Sequence, residues 1–296
     1  MNRVAVLLAV YNGESWLVEQ IESILIQQKV SVTFFISVDR CQDNSYYICH
    51  RYSQEHKNII LLPYGEVFGG AGKNFYRLIK DVDFSSFDYM AFSDQDDIWH
   101  QDKLFNAIEK LQQYDCYSSN VTAFWEDGRE ILIDKAQSQQ PWDYLFEAAG
   151  PGCTYVFKKK LGLAFQAWLR ENDAVIENEV SLHDWLLYAF ARRYGYSWYI
   201  DAKPSMRYRQ HKNNQVGTNN NLAAARKRLH LIKNQWYRNQ VFSIVTLLNL
   251  KEVPIVKKGL MNGYLGNVYL LMHVNKLRRR ARDRLALAFF LLFNLF

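Results

Sequence analysis

The 296-residue sequence predicts an open α/β sheet flanked by helices and followed by a helical C-terminal extension. Apolar runs rich in β-forming residues occur at 4–10, 32–38, 59–62 and 89–92, and turn residues and helical patterns separate them. The extension is indicated by charge. Residues 1–221 carry 22 Lys or Arg against 28 Asp or Glu, whereas residues 222–296 carry 14 against 2.

The first half of the chain alternates strands with helices. The run 4–10 ends at Tyr11-Asn12-Gly13, which is typical of a buried parallel strand followed by a turn. A helix is predicted from about Ser15, because its apolar residues recur at helical spacing and can cover one face of the sheet. Further helices are predicted from the 43–45 capping residues to about 55, at roughly 73–80 and at 101–113.

The second half is less regular. Short strands are predicted at 121–125, 153–157 and 198–200, with a helix at about 181–193. The polar stretch 212–221 is predicted to be a loop or linker. Residues 222–250 form one long helical pattern, and Pro254 separates this pattern from a further helical segment. We therefore predict one domain over 1–217 and a basic amphipathic helical tail over 218–296.

The composition restricts the classes of function. Hydrophobic residues make up 49% and charged residues 22%, as in folded globular proteins. Because the basic residues of the tail alternate with Leu, Phe and Val, an anionic membrane surface is favoured over nucleic acid as their partner. Residues 285–296 are apolar but too short to span a membrane, so an interfacial anchor is predicted. Closure of a homodimer is the alternative.

The cysteines indicate the compartment. Cys41, Cys49, Cys116 and Cys153 show no metal-ligand spacing, and the N-terminus runs directly into a strand without a signal-peptide pattern. A cytoplasmic location is therefore expected.

Polar residues follow three of the predicted strands. Open α/β sheets bind ligands outside the carboxyl ends of their strands, so these residues are the first candidates for a site. The first strand has no G-x-G-x-x-G and no P-loop after it, which argues against a dinucleotide oxidoreductase and a P-loop phosphotransferase. A nucleotidyltransferase is disfavoured too, because a glycine-rich and basic triphosphate loop is missing.

Asp94, Asp96 and Asp97 form the strongest single feature. Three carboxylates at the end of one strand repel one another unless a cation neutralises them, and oxygen ligands select Mg²⁺ or Mn²⁺. Such an ion would stabilise a diphosphate leaving group. The alternative is a solvated turn in which one Asp caps the helix near Gln101.

Five segments together resemble the family 2 glycosyltransferases of the GT-A fold, and bacterial polysaccharide rhamnosyltransferases within that family. They are AVYNGESWLVEQIESILIQQ, the strand-end Asp39, SDQDDIWHQDKL, the HDW of residues 183–185 and YRQHKNNQVG. The resemblance covers roughly residues 3–217 and implies a Rossmann-like open mixed sheet. A Q-x-x-R-W element of processive relatives is absent from this sequence, which makes processive synthesis less expected.

The resemblance implies which residues hold the donor. Tyr11, Glu14 and main-chain groups near Ala9 are expected at the nucleotide, and Asp39 at the base. Asp96 is expected to bind the metal, with His211 completing its shell. The remaining donor residues implied are Asn74 after Gly69 and Gly70, Asp94 near the ribose or metal, Gln95, Asp97 near sugar hydroxyls, and Arg209 near the diphosphate. Turn formation is the alternative for Tyr11, Asn12 and the glycines, and a basic surface strand for residues 209–211.

Asp184 occupies the place of the family's catalytic base, which removes the proton of the acceptor hydroxyl. Gly152, Cys153, His183 and Trp185 are then expected on the acceptor side. The alternative is structural: Asp184 or Ser181 caps the helix and Trp185 lies in the core.

The predicted function is inverting transfer of a sugar to a polyprenyl-diphosphate-linked glycan at the inner face of the cell membrane, for O-antigen or capsule. The resemblance favours dTDP-β-L-rhamnose as donor. The alternatives are another donor, such as UDP-galactose or UDP-glucose, and a non-catalytic module that binds a sugar nucleotide or a glycan.

Overall fold

The computed structural model describes residues 1–211 and 234–296, whose strands form two sheets. The strands are β1 (Asn2–Val10), β2 (Val30–Val38), β3 (Ile59–Leu61), β4 (Tyr89–Ser93), β5 (Ile98–Trp99), β6 (Cys116–Ser119), β7 (Val121–Phe124), β8 (Glu130–Ile133), β9 (Val156–Lys158), β10 (Trp198–Asp201) and β11 (Met206–Arg209). The larger sheet has the order β10-β6-β9-β4-β1-β2-β3, and the smaller one the order β5-β11-β7-β8.

The larger sheet is mixed, as the family resemblance implies. β1 pairs in parallel with β2 and β4, β2 with β3, and β6 with β10. β9 runs antiparallel to both of its neighbours, β4 and β6. Because β1, β2 and β4 are parallel neighbours, their carboxyl ends lie at one edge of the sheet, and the polar residues that follow them are brought together there.

Ten helices are described: α1 (Leu17–Leu25), α2 (Ser45–Glu55), α3 (Ala71–Asp81), α4 (Lys103–Leu111), α5 (Lys159–Glu171), α6 (Asp173–Glu179), α7 (His183–Arg193), α8 (Trp236–Leu247), α9 (Gly263–Met272) and α10 (Ala281–Leu292). They cover both faces of the larger sheet. Alternate residues of β1 enter two apolar clusters, so Val6 packs on the side of Ile21 and Leu7 on the side of Phe75. This explains why β1 is an unbroken apolar run rather than an alternating one.

The structure confirms the alternation of the first half and corrects parts of the second. The predicted strand 153–157 is wrong at its start, because residues Gly152–Thr154 form a 3₁₀ turn and β9 begins only at Val156. Pro151 opens that turn, and its carbonyl accepts hydrogen bonds from the Thr154 amide (3.0 Å) and hydroxyl (2.7 Å). The sequence analysis did not predict α5, α6 or the small sheet.

The described part of the tail packs into the main body of the protein. Val241, Ile244 and Leu287 belong to the same apolar cluster as the α3 face of β1. A break at Pro254 between α8 and α9 is confirmed. Within the described ranges, none of the helices combines the length and apolar character needed to cross a bilayer. The predicted linker 212–221 and the boundary at 217 lie outside the described residues, as does the first part of the predicted 222–250 helix.

Candidate active site

The acid cluster lies directly after the buried strand β4. Asp96 and Asp97 are buried and Asp94 is half-buried. One carboxylate oxygen each of Asp94 and Asp97 and the Cys153 sulfur lie within 4.8 Å of one another. Burial raises the pKa of Asp94 and Asp97, and the charge of Asp96 raises both further. Protein groups alone therefore leave the negative charge here poorly compensated.

The cluster has the chemistry of a site for a hard divalent cation. Asp97 Oδ2 is buried without a hydrogen-bond partner in residues 1–211 or 234–296, which is costly for a carboxylate oxygen unless an ion or water meets it. Carboxylate oxygens suit Mg²⁺ and Mn²⁺. Burial raises the pKa of the Cys153 thiol, so this residue stays protonated while no ion is bound.

His211 and Asp96 are in contact, as the predicted metal pair requires. The His211 Nε2 atom lies 2.7 Å from Asp96 Oδ2, and the imidazole stacks on Trp16 with ring centroids 3.9 Å apart. Arg209 is the last residue of β11, two positions before His211. Its main-chain amide donates to Asp97 Oδ1 (3.2 Å) and its Nε atom donates to the Asp96 carbonyl (2.9 Å). The small sheet thus brings two residues, distant in sequence, to the acid cluster.

Gln95 connects the acid cluster to the end of β1. Its side-chain amide accepts a hydrogen bond from the Tyr11 amide (2.7 Å) and donates one to the Tyr11 carbonyl (2.8 Å). This clasp leaves the Tyr11 ring 53% exposed at the edge of the sheet. Gly13 makes room for it, because a Cβ atom at position 13 would lie only 2.5 Å from Gln95 Cδ. Ala9 is buried within β1 just before this turn.

Asp39 and Glu14 bind neighbouring loops through main-chain amides. Asp39 Oδ1 accepts from the Phe68 amide (3.0 Å), and Oδ2 accepts from the Gly69 amide (3.2 Å), so the glycine-containing loop is fixed beside the end of β2. Glu14 Oε2 accepts from the Asn44 amide (2.6 Å). The predicted contacts of Asp39 with a base and of Glu14 with a nucleotide stay predictions.

Asn74 is buried in α3 beneath the same strand ends. Its Nδ2 atom donates to the carbonyls of Ser37 (3.0 Å) and Val10 (3.4 Å), which are the ends of β2 and β1. Its Oδ1 atom has no hydrogen-bond partner among the described residues. Asn74 therefore ties the donor edge of the sheet together, and its contact with a donor stays a prediction.

Asp184 is the second residue of α7, and part of its surface reaches solvent although protein largely surrounds it. Burial raises its pKa to about 6, while hydrogen bonding by nearby main-chain amides opposes the rise. Its charge also raises the pKa of Asp94, so the two carboxylates act on one another across the site.

Asp184 binds an amide in the first turn of its own helix. Its Oδ1 atom accepts from the Trp185 amide at 2.8 Å, and its carboxylate lies against Gly152. The structural alternative expected a cap at Asp184 or Ser181, but the N-cap residue of α7 is Leu182, which makes no side-chain cap hydrogen bond.

The other predicted acceptor-side side chains are packed. His183 stacks on Phe75 with ring centroids 3.8 Å apart, and burial lowers its pKa to about 3, so it is neutral. The Trp185 indole nitrogen donates to the Tyr144 carbonyl at 2.9 Å. Cys153 is buried as well. These side chains shape the wall around Asp184, and their direct contact with an acceptor stays a prediction.

Lys103 is a component of the site that the sequence analysis missed. The side chain is fully buried, and its ammonium lies 3.4 Å from the centre of the Trp99 ring and donates to the Cys153 carbonyl at 2.6 Å. Burial lowers its pKa to about 7, against the attraction of Asp97 and Asp94. The apolar stripe of α4, at Leu104, Ala107, Ile108 and Leu111, includes position 103 at its start, which was the available signal.

Comparison of the sequence with known proteins shows what this chain is similar to. Residues 5–160 match the family described as Glycosyl transferase family 2. The chain is 49% identical over 292 residues to the dTDP-rhamnosyl transferase RfbG of Shigella flexneri, which covers 98% of this chain and all of that protein.

Solved structures share the fold at low sequence identity. Staphylococcus aureus TarS 1–349 in complex with UDP matches 96% of this chain and 73% of its own, with a TM-score of 0.59 and 15% identity. The mannosyltransferase PcManGT from Pyrobaculum calidifontis, in complex with GDP-Man and Mn²⁺, matches 99% and 80%, with a TM-score of 0.51 and 14% identity.

Proposed function

The chain belongs to the family 2 glycosyltransferases, and on that premise we propose that it transfers L-rhamnose from dTDP-β-L-rhamnose to a lipid-linked oligosaccharide. The product would be part of a bacterial surface polysaccharide, an O-antigen or a capsule. The choice of donor is supported by the relative at 49% identity, whose name specifies a dTDP-rhamnosyl transferase. UDP-galactose and UDP-glucose are the competing donors.

One observation carries the proposal: a separate, partly accessible carboxylate, that of Asp184, lies within electrostatic reach of the acid cluster. Asp94 lies close enough to both Asp96 and Asp184 that each raises its pKa. Glycosyl transfer from a nucleotide donor requires this pair of functions, one to receive the departing diphosphate and another to activate the acceptor.

A divalent cation, Mg²⁺ or Mn²⁺, would be held by Asp96 and His211 with Asp94 or Asp97. Bound there, it would neutralise the charge that develops on the leaving diphosphate. Arg209, whose guanidinium lies beside Asp96, would add positive charge on the same side. Tyr11, positioned by Gln95, would contact the nucleotide.

The chemical step follows from the position of Asp184. The acceptor hydroxyl oxygen forms a bond to the anomeric carbon while the bond from that carbon to the diphosphate oxygen breaks. The bonding pair leaves with the nucleoside diphosphate, and Asp184 takes the hydroxyl proton. A single base facing the leaving group across the sugar implies one displacement and inversion, so a β-linked donor gives an α-L-rhamnoside.

The acceptor side faces the tail, whose surface suits a membrane. α9 and α10 contact one another, as the Tyr264 hydroxyl donates to the Leu292 carbonyl at 3.3 Å. Together they expose large apolar side chains, which we call the apolar face: Met261, Tyr264, Leu265, Val268, Met272, Leu285, Phe289, Leu292, Phe293 and Leu295. Leu265, Met272 and Leu285 are each more than 70% exposed.

Charge favours an anionic bilayer as the occupant of this face. Lys257, Lys258, Lys276 and Arg282 are exposed on the same part of the chain. Burial of apolar side chains together with attraction to anionic headgroups is the usual mode of interfacial binding. We propose that the enzyme lies at the inner face of the cell membrane, where a polyprenyl-linked acceptor would be presented.

A donor panel tests the proposed reaction. The purified protein would be incubated with dTDP-rhamnose, UDP-galactose and UDP-glucose, each with Mn²⁺, and thermal stabilisation and slow donor hydrolysis would be measured. We expect the largest thermal stabilisation and the fastest hydrolysis with dTDP-rhamnose. A response to a UDP-sugar alone would contradict the choice of donor, and a response to no nucleotide sugar would contradict the reaction.

Vesicle sedimentation tests the apolar face. We expect the protein to bind vesicles containing anionic lipid, less at high salt, and the Leu285→Asp/Phe289→Asp variant to lose binding. Leu132→Asp serves as control, since Leu132 is similarly exposed (55%) on β8 and is not part of the apolar face. A wild-type dimer in solution that ignores vesicles, and that the same double substitution dissociates, would assign the face to a subunit interface instead.

A further inference from the structure

The carboxylate of Asp184 lies against the main chain of the turn at Gly152. A Cβ atom added at Gly152 would lie 2.8 Å from Asp184 Cβ and 3.2 Å from Oδ2. The position of the Gly152 main chain therefore determines where the carboxylate can be. Whatever holds the 148–154 segment also positions Asp184.

Two buried cations hold this segment, one at each end. Lys103 donates to the Cys153 carbonyl at 2.6 Å from the side of the acid cluster. Arg279, from the C-terminal tail, donates through Nη2 to the Ala148 carbonyl at 2.7 Å. The Arg279 side chain is only 1% exposed, although the sequence analysis assigned the basic residues of the tail to a membrane surface. That interpretation is wrong for Arg279.

Arg279 is fixed by a buried network of its own. Its Nη1 atom lies 3.2 Å from Asp143 Oδ2, its Nη2 atom lies 3.7 Å from Glu147 Oε2, and its main-chain amide donates to Glu147 Oε1 at 2.6 Å. Arg192 binds the other oxygen of Asp143 at 2.9 Å. The guanidinium thus has a single defined orientation relative to the segment that precedes Gly152.

Tyr155 completes the connection from Arg279 to Asp184. Its hydroxyl accepts from the Ala149 amide at 2.9 Å and donates to the Gly150 carbonyl at 3.4 Å. Burial and then the charge of Asp184 raise the pKa of Tyr155, whereas Arg279 opposes the rise. The phenol therefore lies within reach of both charges.

We propose that Arg279 is a positioning residue for the transfer reaction. Through the Ala148 carbonyl and Tyr155 it fixes the turn that holds Asp184, so the C-terminal tail is a part of the acceptor half of the active site. This inference rests on the proposed function, in which Asp184 is the base. It concerns residues about 130 positions apart in the sequence.

Paired substitutions in the full-length protein test the proposal. Arg279→Lys keeps the charge but cannot make all the guanidinium contacts, and Tyr155→Phe removes only the hydroxyl that joins Ala149 to Gly150. Arg51→Lys is the matched control, because Arg51 is 59% exposed on α2 and forms its ion pair with Glu55 of the same helix. Slow hydrolysis of dTDP-rhamnose would be followed across pH together with donor affinity.

We expect Arg279→Lys to lower the rate constant by about tenfold or more, with donor affinity within about twofold of wild type and a displaced acid limb of the pH profile. Tyr155→Phe should change the same quantities less, and Arg51→Lys should change none. Wild-type kinetics in both test variants would overturn the proposal, as would a loss of rate matched by an equal loss of donor affinity. If the wild-type protein itself hydrolyses no donor, the proposed function fails instead.

Discussion

The proposed donor and acceptor halves of the site are built differently. In the donor half, Gln95, Asp39 and Asn74 use side-chain amides and carboxylates to bind main-chain groups of neighbouring loops and strand ends. In the acceptor half, buried charged groups cross from the tail to the 143–154 segment, and Arg279 meets Asp143 there. The first arrangement fixes loops that surround a ligand, whereas the second fixes the platform behind one carboxylate.

This difference predicts which substitutions should affect folding and which should affect ligand binding. Loss of one partner of a buried ion pair lowers the free energy of unfolding by about 3–5 kcal/mol, because the other charge stays buried without a partner. A hydrogen bond from a side chain to an exposed loop contributes about 1 kcal/mol. Donor-side changes should therefore alter binding more than folding, and acceptor-side changes should alter folding and turnover.

The largest expected effect is that of Asp184→Asn. Loss of the general base should lower turnover by about 10²- to 10⁴-fold while donor affinity changes little, since the acid cluster is untouched. Acceptor transfer or slow donor hydrolysis would be compared with donor binding by calorimetry.

Asp127→Asn is the control for this change, because Asp127 is 62% exposed and pairs with nearby Arg129. If Asp184→Asn retains full turnover, the base must be another residue.

The pH profile should show the base directly. Because burial raises the pKa of Asp184 to about 6, its basic form is lost as pH falls through that value. The rate at low donor concentration should then decrease about tenfold per pH unit below the limb. The residual rate of Asp184→Asn should lack this limb, and a limb of unchanged position in that variant would assign it to another group.

Metal should stabilise the protein more at pH 7.5 than at pH 5. The raised pKa values of Asp94 and Asp97 mean that, above pH of about 4, the folded protein holds more protons than the unfolded chain. The free energy of unfolding then falls as pH rises through this window, and a bound cation should reverse the loss. The Tm increase produced by Mn²⁺ is the measurement.

Asp97→Asn tests this expectation further, because the substitution should raise the Tm without metal but reduce the Tm increase that Mn²⁺ produces. Without metal at pH 7.5, the variant should melt at a higher temperature than wild type, by roughly 2 °C or more for a chain of this size. With Mn²⁺ its increase should be smaller. A variant that is less stable without metal and fully stabilised by it would contradict the electrostatic account of the cluster.

A smaller effect is expected for Gly13→Ala. The new Cβ atom would lie 2.5 Å from Gln95 and displace the clasp on Tyr11, so donor affinity should fall several-fold with turnover of bound donor little changed. Gln95→Ala should produce a similar loss. In the double variant the losses should not add, because the space that Gly13 provides is needed only while Gln95 is present.

The position of the acid cluster could be predicted from the sequence because its motif is local. An apolar strand followed by SDQDD places three carboxylates at a sheet edge, and the structure has them there. The position of Asp184 also followed from a short motif. Its surroundings did not, because Arg279 and Ala148 are 131 residues apart and no periodic pattern links them. Likewise, a lysine usually marks a solvated helix face, which hid the buried role of Lys103.

The most direct test of the account is the position of the cation relative to Asp184. Crystals grown with dTDP and Mn²⁺ would be measured at a wavelength where manganese scatters anomalously. The account predicts a peak at about 2.2 Å from a carboxylate oxygen of Asp96, with the diphosphate on it and Asp184 facing the empty sugar position of the same recess. A peak away from the Asp94–Asp97 segment, or a diphosphate separated from Asp184 by closed protein, would contradict it.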